Sequence, residues 1–569
     1  MPARSRLLAV VALAGCASVL RATPASAHAV LLRAEPSPQT TVERPPAAIR
    51  LTFSEPVEVA FGAVRVFDVD GNRVDDGAIR RAEGDRQVVL PVSLRNGTYT
   101  VTWRVTSQDG HPVRGGFGFF VGAPSTISAV AVPVDEGSGP VVTIGYGMAR
   151  FLWFAALVTV LGMVAMRRWV WTPAVRAVGM AGSPAADRFR RGFGTALPAA
   201  WVVLLVAGAA GLVFQSATVS GLSLAQAARP EVLGELLKTS FGRLWTVQAA
   251  LAVALGLPVL ALVARRPLLG VPPRPWLVAA GVVGAALCVA TAANGHARTV
   301  WNTAVMVPAL SVHLLAAAVW AGGLAALFLL GRTAWRSVGP DQRPPLLREL
   351  VRRFGRVGVV AAPVLLGTGA ITSFGLLSRV SDLWDVSFGR VVSAKVALFA
   401  VAVALAAVHR RRTPRRLDRP DGVARFEQTG AAELLAVTGA IALASVLVAL
   451  VPGRSLALAA KAPVNQERQA GPYTVQLYVD PTRVGENEFH VTFVNEAGLA
   501  AAEVATVEVT LGPAGGDPQP VAMRLISPGH FVGDASLPAP GRYSLAVAGT
   551  GAEGATTTFD FRLHPERST

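Results

Sequence analysis

Thiols are almost absent from this chain: its 569 residues include two cysteines, Cys16 and Cys288. Cys16 falls in an N-terminal export-type segment and Cys288 in a long apolar run, so no disulfide is available to staple an external domain. No CxxC or CPC pair occurs, which speaks against a thiolate-lined metal pump. A glycine-rich phosphate loop and an aspartyl-phosphate motif are also missing, so nothing reads as an ATP-driven motor. No methionine lies between residues 28 and 147, which leaves that stretch without a thioether for a soft metal ion. Acidic residues are few, 36 against 53 lysines and arginines, for a formal net charge of +17.

What the chain has in excess is apolar length, with 52% hydrophobic residues. Apolar runs of about 17 residues or more read as transmembrane helices. Eight are expected, over 143–166, 194–214, 246–264, 276–295, 303–330, 357–378, 391–409 and 431–451. Arginine clusters sit in alternate connections: Arg167 to Arg191, Arg265 to Arg274, Arg332 to Arg356 and Arg410 to Arg425. The positive-inside rule places these four connections in the cytoplasm and both chain ends outside. The basic excess is thereby explained by topology and anionic lipid. The lipid bilayer is an expected partner and nucleic acid is not.

Arg4 and Arg6 precede the apolar stretch Leu7 to Ala14, and Ala25-Ser26-Ala27 forms a small-residue cleavage site. Residues 1–27 are therefore expected to be a signal peptide, with His28 first in the mature chain. Leu13-Ala14-Gly15-Cys16 also matches a lipoprotein box, and cutting before Cys16 would leave His28 in mid-chain. An N-terminal histidine offers an amine titrating near ~8 and an imidazole near ~6.5, and Cu(II) displaces both protons near neutral pH. Asp109-Gly110-His111-Pro112 adds a carboxylate and a second imidazole, a nitrogen and oxygen set that suits tetragonal Cu(II). The expected outer site is His28, Asp109 and His111.

Residues 28–122 alternate as strands do: Ala48 to Phe53, Ala63 to Phe67, Gln87 to Leu90, Tyr99 to Thr106 and Phe117 to Val121. Short strands with Pro and Gly turns predict a β-sandwich or small barrel, with Trp103 and Phe119 in its core. This segment contains His28-Ala29, Glu35-Pro36, Leu51-Thr52-Phe53-Ser54-Glu55-Pro56 and Ser107-Gln108-Asp109-Gly110-His111-Pro112-Val113, followed by Gly115 and Phe117. It resembles the periplasmic copper-binding CopC family, which implies an immunoglobulin-like sandwich. The resemblance also implies that His28, Asp109 and His111 are Cu(II) ligands.

In the apolar region the polar exceptions are Asn294, His296, His313, Lys395 and Glu433. Ionisable groups at membrane depth are costly and mark pathways. Met306 precedes His313 by seven residues, about two turns, so His296, Met306 and His313 are the candidate membrane metal ligands, a mixed set that suits Cu(I). Lys395 is expected to snorkel and Glu433 to be a helix-end carboxylate. Small residues Gly322 and Gly323 predict close helix packing. The run from Ser311 to Leu324 resembles the CopD copper-resistance membrane family over roughly 141–451, which implies copper movement across the inner membrane.

Residues 123–140 and 452–470 are expected to be linkers, and 471–565 to form a second β-sandwich that resembles the YtkA-like domain. Its strands are expected at Tyr473 to Val479, Glu488 to Val494, Ala505 to Val509, Val521 to Leu525, Gly541 to Ala548 and Thr556 to Leu563. His490, His530 and Met523 are noted there, with core and surface roles favoured over a metal site. The expected whole is a multidomain membrane protein: an immunoglobulin-like domain, an eight-helix bundle and a C-terminal sandwich. Its expected work is Cu(II) capture outside and copper import, with an extracytoplasmic copper donor as partner and no catalytic role. The alternatives are copper buffering or sensing with the bundle as anchor, and an oxygen-activating histidine brace. N-terminal sequencing of the purified mature protein should find His28 first; a lipid-modified Cys16 at that position would overturn the assignment.

Overall fold

The computed structural model describes residues 29, 31–38, 40–59, 64–75, 77–108, 110–122, 139–264, 273–298, 302–419, 421–459, 463–480, 482–495, 501–550 and 556–563. The expected signal peptide, His28, Asp109 and nearly all of the 123–140 linker lie outside the described residues. The chain falls into two compact units. One is helical and lies within 138–453; the other unites 26–137 with 454–569.

Among the described residues in the N-terminal part of the β unit, nine strands form two sheets. They are β1 (Leu31–Glu35), β2 (Thr41–Val42), β3 (Ala48–Phe53), β4 (Val57–Glu58), β5 (Val64–Phe67), β6 (Arg80–Ala82), β7 (Gln87–Pro91), β8 (Gly97–Ser107) and β9 (Pro112–Val121). One sheet runs β1-β3-β7-β6; the other runs β2-β9-β8-β4, with β5 also on β8. Alternation puts Ile49, Leu51 and Phe53 inward on β3, and Trp103 and Phe119 join the same core. The β8–β9 register sets Trp103 opposite Gly115, where a Cβ would lie 2.3 Å from the indole. Glycine at 115 is thus a packing requirement of the tryptophan.

The C-terminal part holds β10 (Val464–Ala470), β11 (Tyr473–Asp480), β12 (Gly485–Val494), β13 (Thr506–Pro513), β14 (Gln519–Val521), β15 (Arg524–Ser527), β16 (His530–Leu537), β17 (Gly541–Thr550) and β18 (Thr556–Leu563). Its sheets run β10-β11-β12-β16-β15 and β14-β13-β17-β18. The 452–470 segment, expected as a linker, instead contains a short helix, Gly453–Ala459, and all of β10, which pairs along β11. The polar sequence of β10 hid it, because it is an edge strand. The single strand expected at Val521 to Leu525 is two strands in different sheets, and β16 was not anticipated. Both sandwiches carry a tyrosine corner. Tyr99 Oη donates to Arg95 O at 3.0 Å, and Tyr543 Oη donates to Ala539 O at 2.8 Å.

Among the described residues the helical unit has eight helices long and apolar enough to cross a membrane. They are α1 (Pro140–Ala177), α2 (Pro184–Ser220), α3 (Ser240–Val263), α4 (Pro273–Ala293), α5 (Thr303–Trp335), α6 (Pro340–Leu376), α7 (Ser387–Arg416) and α8 (Gly422–Leu447). Most extend beyond the apolar runs seen in sequence, because intrahelical hydrogen bonding continues into the polar ends. Asn302 caps α5, its Oδ1 accepting from Ala304 N at 3.0 Å.

Helices α1 and α5 meet backbone to backbone. A Cβ at Gly322 would lie 1.9 Å from Val158 O, and one at Gly162 would lie 2.2 Å from the Gly322 carbonyl carbon. Two π-helical stretches, Ala318–Gly322 and Leu327–Gly331, adjust α5 around this crossing. At its far end α5 is tied to α8. Glu427 accepts from Trp335 Nε1 at 3.2 Å, Arg332 Nε at 3.1 Å and Arg336 Nε at 2.9 Å. Gly322→Ala should destabilise the detergent-solubilised bundle by roughly 1–3 kcal/mol. Gly281→Ala, where nothing lies within 4 Å, should leave the tryptophan-fluorescence melting curve unchanged.

Candidate metal centres

His111 is placed by the turn between β8 and β9. Ser107 N donates to His111 O at 2.8 Å, Gly110 N donates to Ser107 O at 2.9 Å, and His111 N donates to Ser107 Oγ at 3.3 Å. Gly110 has φ +91°, a left-handed conformation that favours glycine. The Asp-Gly-His triplet is therefore built on the one residue type that closes this turn without strain. His28 and Asp109 lie outside the described residues. Ala29, the neighbour of His28, is 1% exposed and packs in the sandwich core.

In the bundle, His296 lies in a 3-10 turn, His296–Arg298, after α4, and is buried. Met306 is fully buried in the first turns of α5. His313 is two turns further on, about 10 Å along the axis from Met306. Its Nδ1 lies 3.0 Å from Thr368 Oγ1 on α6. Thr368 spends its own hydrogen on Val364 O at 2.6 Å. The threonine oxygen therefore accepts from His313 Nδ1–H, and the lone pair of the ring is left on Nε2. A hydrogen bond at one nitrogen that presents the other is the usual way a protein orients a metal-binding imidazole. Gly369 keeps α6 clear of the ring, its virtual Cβ lying 3.4 Å from His313 Cε1. Lys395 of α7 is a charged neighbour of His313.

Two further groups went unread or under-read in the sequence. His409 of α7 directly precedes a run of three arginines that masks it. Its Nδ1 is 3.0 Å from Glu433 Oε2, and its Nε2 is 2.7 Å from Thr429 Oγ1. Glu433 is 1% exposed and three turns inside α8, not at a helix end as expected, because α8 starts at Gly422 rather than near residue 431. The second group is His490 with His530, whose Nδ1 and Nε2 lie 3.1 Å apart. No three His, Cys, Asp or Glu side chains gather to hold a metal ion among the described residues.

Residues 31–122 match the CopC domain. Residues 141–301 match the Copper resistance protein D-like N-terminal domain, and 348–447 match Copper resistance protein D. The molecule is a multi-pass membrane protein of the copper-resistance class, with a CopC domain ahead of a CopD-type bundle and a further β domain behind it. Through its N-terminal domain the chain belongs to the CopC family. It is 26% identical over 501 residues to Copper transport protein CutJ of Bacillus subtilis (strain 168), covering 85% of each chain. It is 38% identical over 98 residues to Protein YobA of Escherichia coli (strain K12), covering 17% of this chain and 79% of that one. It is 33% identical over 113 residues to Copper resistance protein C of Xanthomonas campestris pv. juglandis, covering 18% and 88%.

Burial holds the imidazoles of the C-terminal domain neutral. It pushes His490 down to about 4 against the opposing pull of Asp480 and Asp534. Burial, with His490 alongside, pushes His530 down to about 3. An unfolded chain protonates both near 6.5. Between that value and the folded values the unfolded state binds more protons, so stability falls as pH falls. Proteolytic cleavage within 464–563 should accelerate from pH 7.5 to pH 5, and His530→Phe should flatten that dependence.

Proposed function

We propose that the protein captures Cu(II) outside the plasma membrane and imports copper through its helical bundle. The outer ligands in this reading are the His28 amine and imidazole, the Asp109 carboxylate and the His111 imidazole. The observation that carries the transport half is His313. This imidazole sits on a membrane-crossing helix, and its hydrogen bond to Thr368 leaves Nε2 to meet an ion. His296 and Met306 supply a nitrogen and a thioether on the path towards it, a set that favours Cu(I), so an external reductant belongs to this reading.

Arginine-rich alternate loops favour both terminal domains being extracytoplasmic. An extracytoplasmic copper donor would load the outer site. The named activity of the Bacillus subtilis relative, copper transport, supports transport over buffering, since the likeness extends over 85% of both chains.

Copper accumulation by cells or vesicles carrying the protein should fall at least tenfold in His313→Ala, with unchanged membrane levels. Undiminished accumulation would overturn the transport role of that residue. Unchanged uptake with raised extracytoplasmic copper sensitivity would favour buffering. For the outer site, the Cu(II) EPR spectrum should show nitrogen hyperfine coupling that weakens in His111→Ala. An identical spectrum would remove His111 from the ligand set.

A further inference from the structure

The outer face of the C-terminal sheet carries two imidazoles that the capture and transport reading leaves unused. In the antiparallel register of β12 and β16, Thr492 pairs with His530 and His490 with Val532. Two histidines 40 residues apart in sequence thus become diagonal neighbours on one face. Phe489, Val491 and Phe531 fill the opposite, core-facing side.

The facing atoms, His490 Nδ1 and His530 Nε2, are 3.1 Å apart, and the rings are within 20° of parallel with centroids 5.4 Å apart. That centroid separation is the nitrogen contact plus one ring radius at each end, so both nitrogens lie on the line joining the rings. Phe120 stacks on His530, with centroids 6.4 Å apart, and Tyr478 meets His490 edge-on at 5.6 Å. Both histidines are buried, at 6% and 2% exposure. A shallow pocket lined in part by Gly116, Tyr478, His490 and Thr492 opens beside the pair.

We propose that His490 and His530 form a two-coordinate Cu(I) site, the ion taking the place of the hydrogen now shared between Nδ1 of His490 and Nε2 of His530. The identity of the ion rests on the copper reading above; the site rests on the imidazole pair itself.

The ligand count selects the ion. Zn(II) and Cu(II) require about four ligands. Among the described residues no three His, Cys, Asp or Glu side chains gather to hold a metal ion, and the Glu488 carboxylate beside the pair faces the other nitrogen of His490, Nε2. Cu(I), a closed-shell d10 ion, is satisfied by two nitrogens in line. Metal–imidazole bonds of about 2 Å would open the facing nitrogens from 3.1 Å to nearer 4 Å, a movement of less than about 1 Å shared by two rings.

Protons balance as well. His490 Nε2 lies 3.5 Å from Glu488 Oε1, which keeps its hydrogen on that nitrogen and leaves Nδ1 bare. The hydrogen on His530 Nε2 moves to Nδ1 of the same ring, a buried nitrogen with no hydrogen-bond partner. Both rings stay neutral, and no oxidation or reduction takes place.

The test uses the full-length protein in detergent under anaerobic conditions. Cu(I) is buffered by a chromophoric chelator, and copper K-edge absorption is recorded at increasing loading. The unsubstituted protein should show the pre-edge signature of two-coordinate, nitrogen-ligated Cu(I). His490→Gln and His530→Gln should each lose one bound equivalent and that signature. The double variant His490→Cys/His530→Cys should regain the equivalent with sulfur scattering. Full stoichiometry in both glutamine variants, or no two-coordinate signature in the unsubstituted protein, overturns the proposal. Cu(II) titration of the same samples scores the N-terminal domain separately, so a failure of the capture reading and a failure of this site are told apart.

Discussion

The contact between Gly162 and Gly322 is the constraint on which the bundle depends. In hydrocarbon there is no hydrophobic force to press helices together, so close van der Waals fit has to supply it. Here the fit is backbone on backbone, and a methyl group at either position would overlap the partner helix. Helix α5 is held at this crossing and again at its far end, where Glu427 gathers Trp335, Arg332 and Arg336. Between its capped start and the crossing lie Met306 and His313. The position of the candidate ligands is therefore inherited from glycines that bear no chemistry.

Much of the architecture was legible in the sequence because its signals are local. Eight apolar runs became eight helices, and the strands at Ala48–Phe53 and Thr556–Leu563 begin and end where alternation placed them. What escaped was non-local. β10 lacks alternation because only its pairing with β11 makes it a strand. Glu433 looked like a helix-end group because the polar first turns of α8 were counted as loop; the helix simply continues through them. His490 and His530 were visible singly, but strand register alone brings them to 3.1 Å. Of the candidate ligands, His111, His296, Met306 and His313 fall among the described residues, and His28 and Asp109 do not.

The same hydrogen-bond logic recurs at two of the described membrane histidines, His313 and His409. Thr368 and Thr429 each give their hydrogen to a carbonyl of their own helix, Val364 O and Arg425 O, and offer an oxygen to an imidazole on another helix. A threonine used in this way satisfies its own hydroxyl hydrogen within its helix and leaves its oxygen to accept from an imidazole across the interface. The two histidines differ in what the second nitrogen meets. His313 presents Nε2, whereas His409 turns Nδ1 to a buried carboxylate. One arrangement suits a ligand for a passing cation, and the other a structural tie between α7 and α8.

The β unit is assembled from residues on both sides of the helical region. Phe120, synthesised before the first helix, stacks on His530, synthesised after the last. Eight helices of this length are an even number, and an even number of crossings would return the chain to the side on which it began. A unit whose two halves flank the helical region in sequence can close only after that whole region has been made. A chain that skipped a single insertion would strand the two halves on opposite faces of the bilayer. The contact of Phe120 with His530 is thus one that only the complete chain can make.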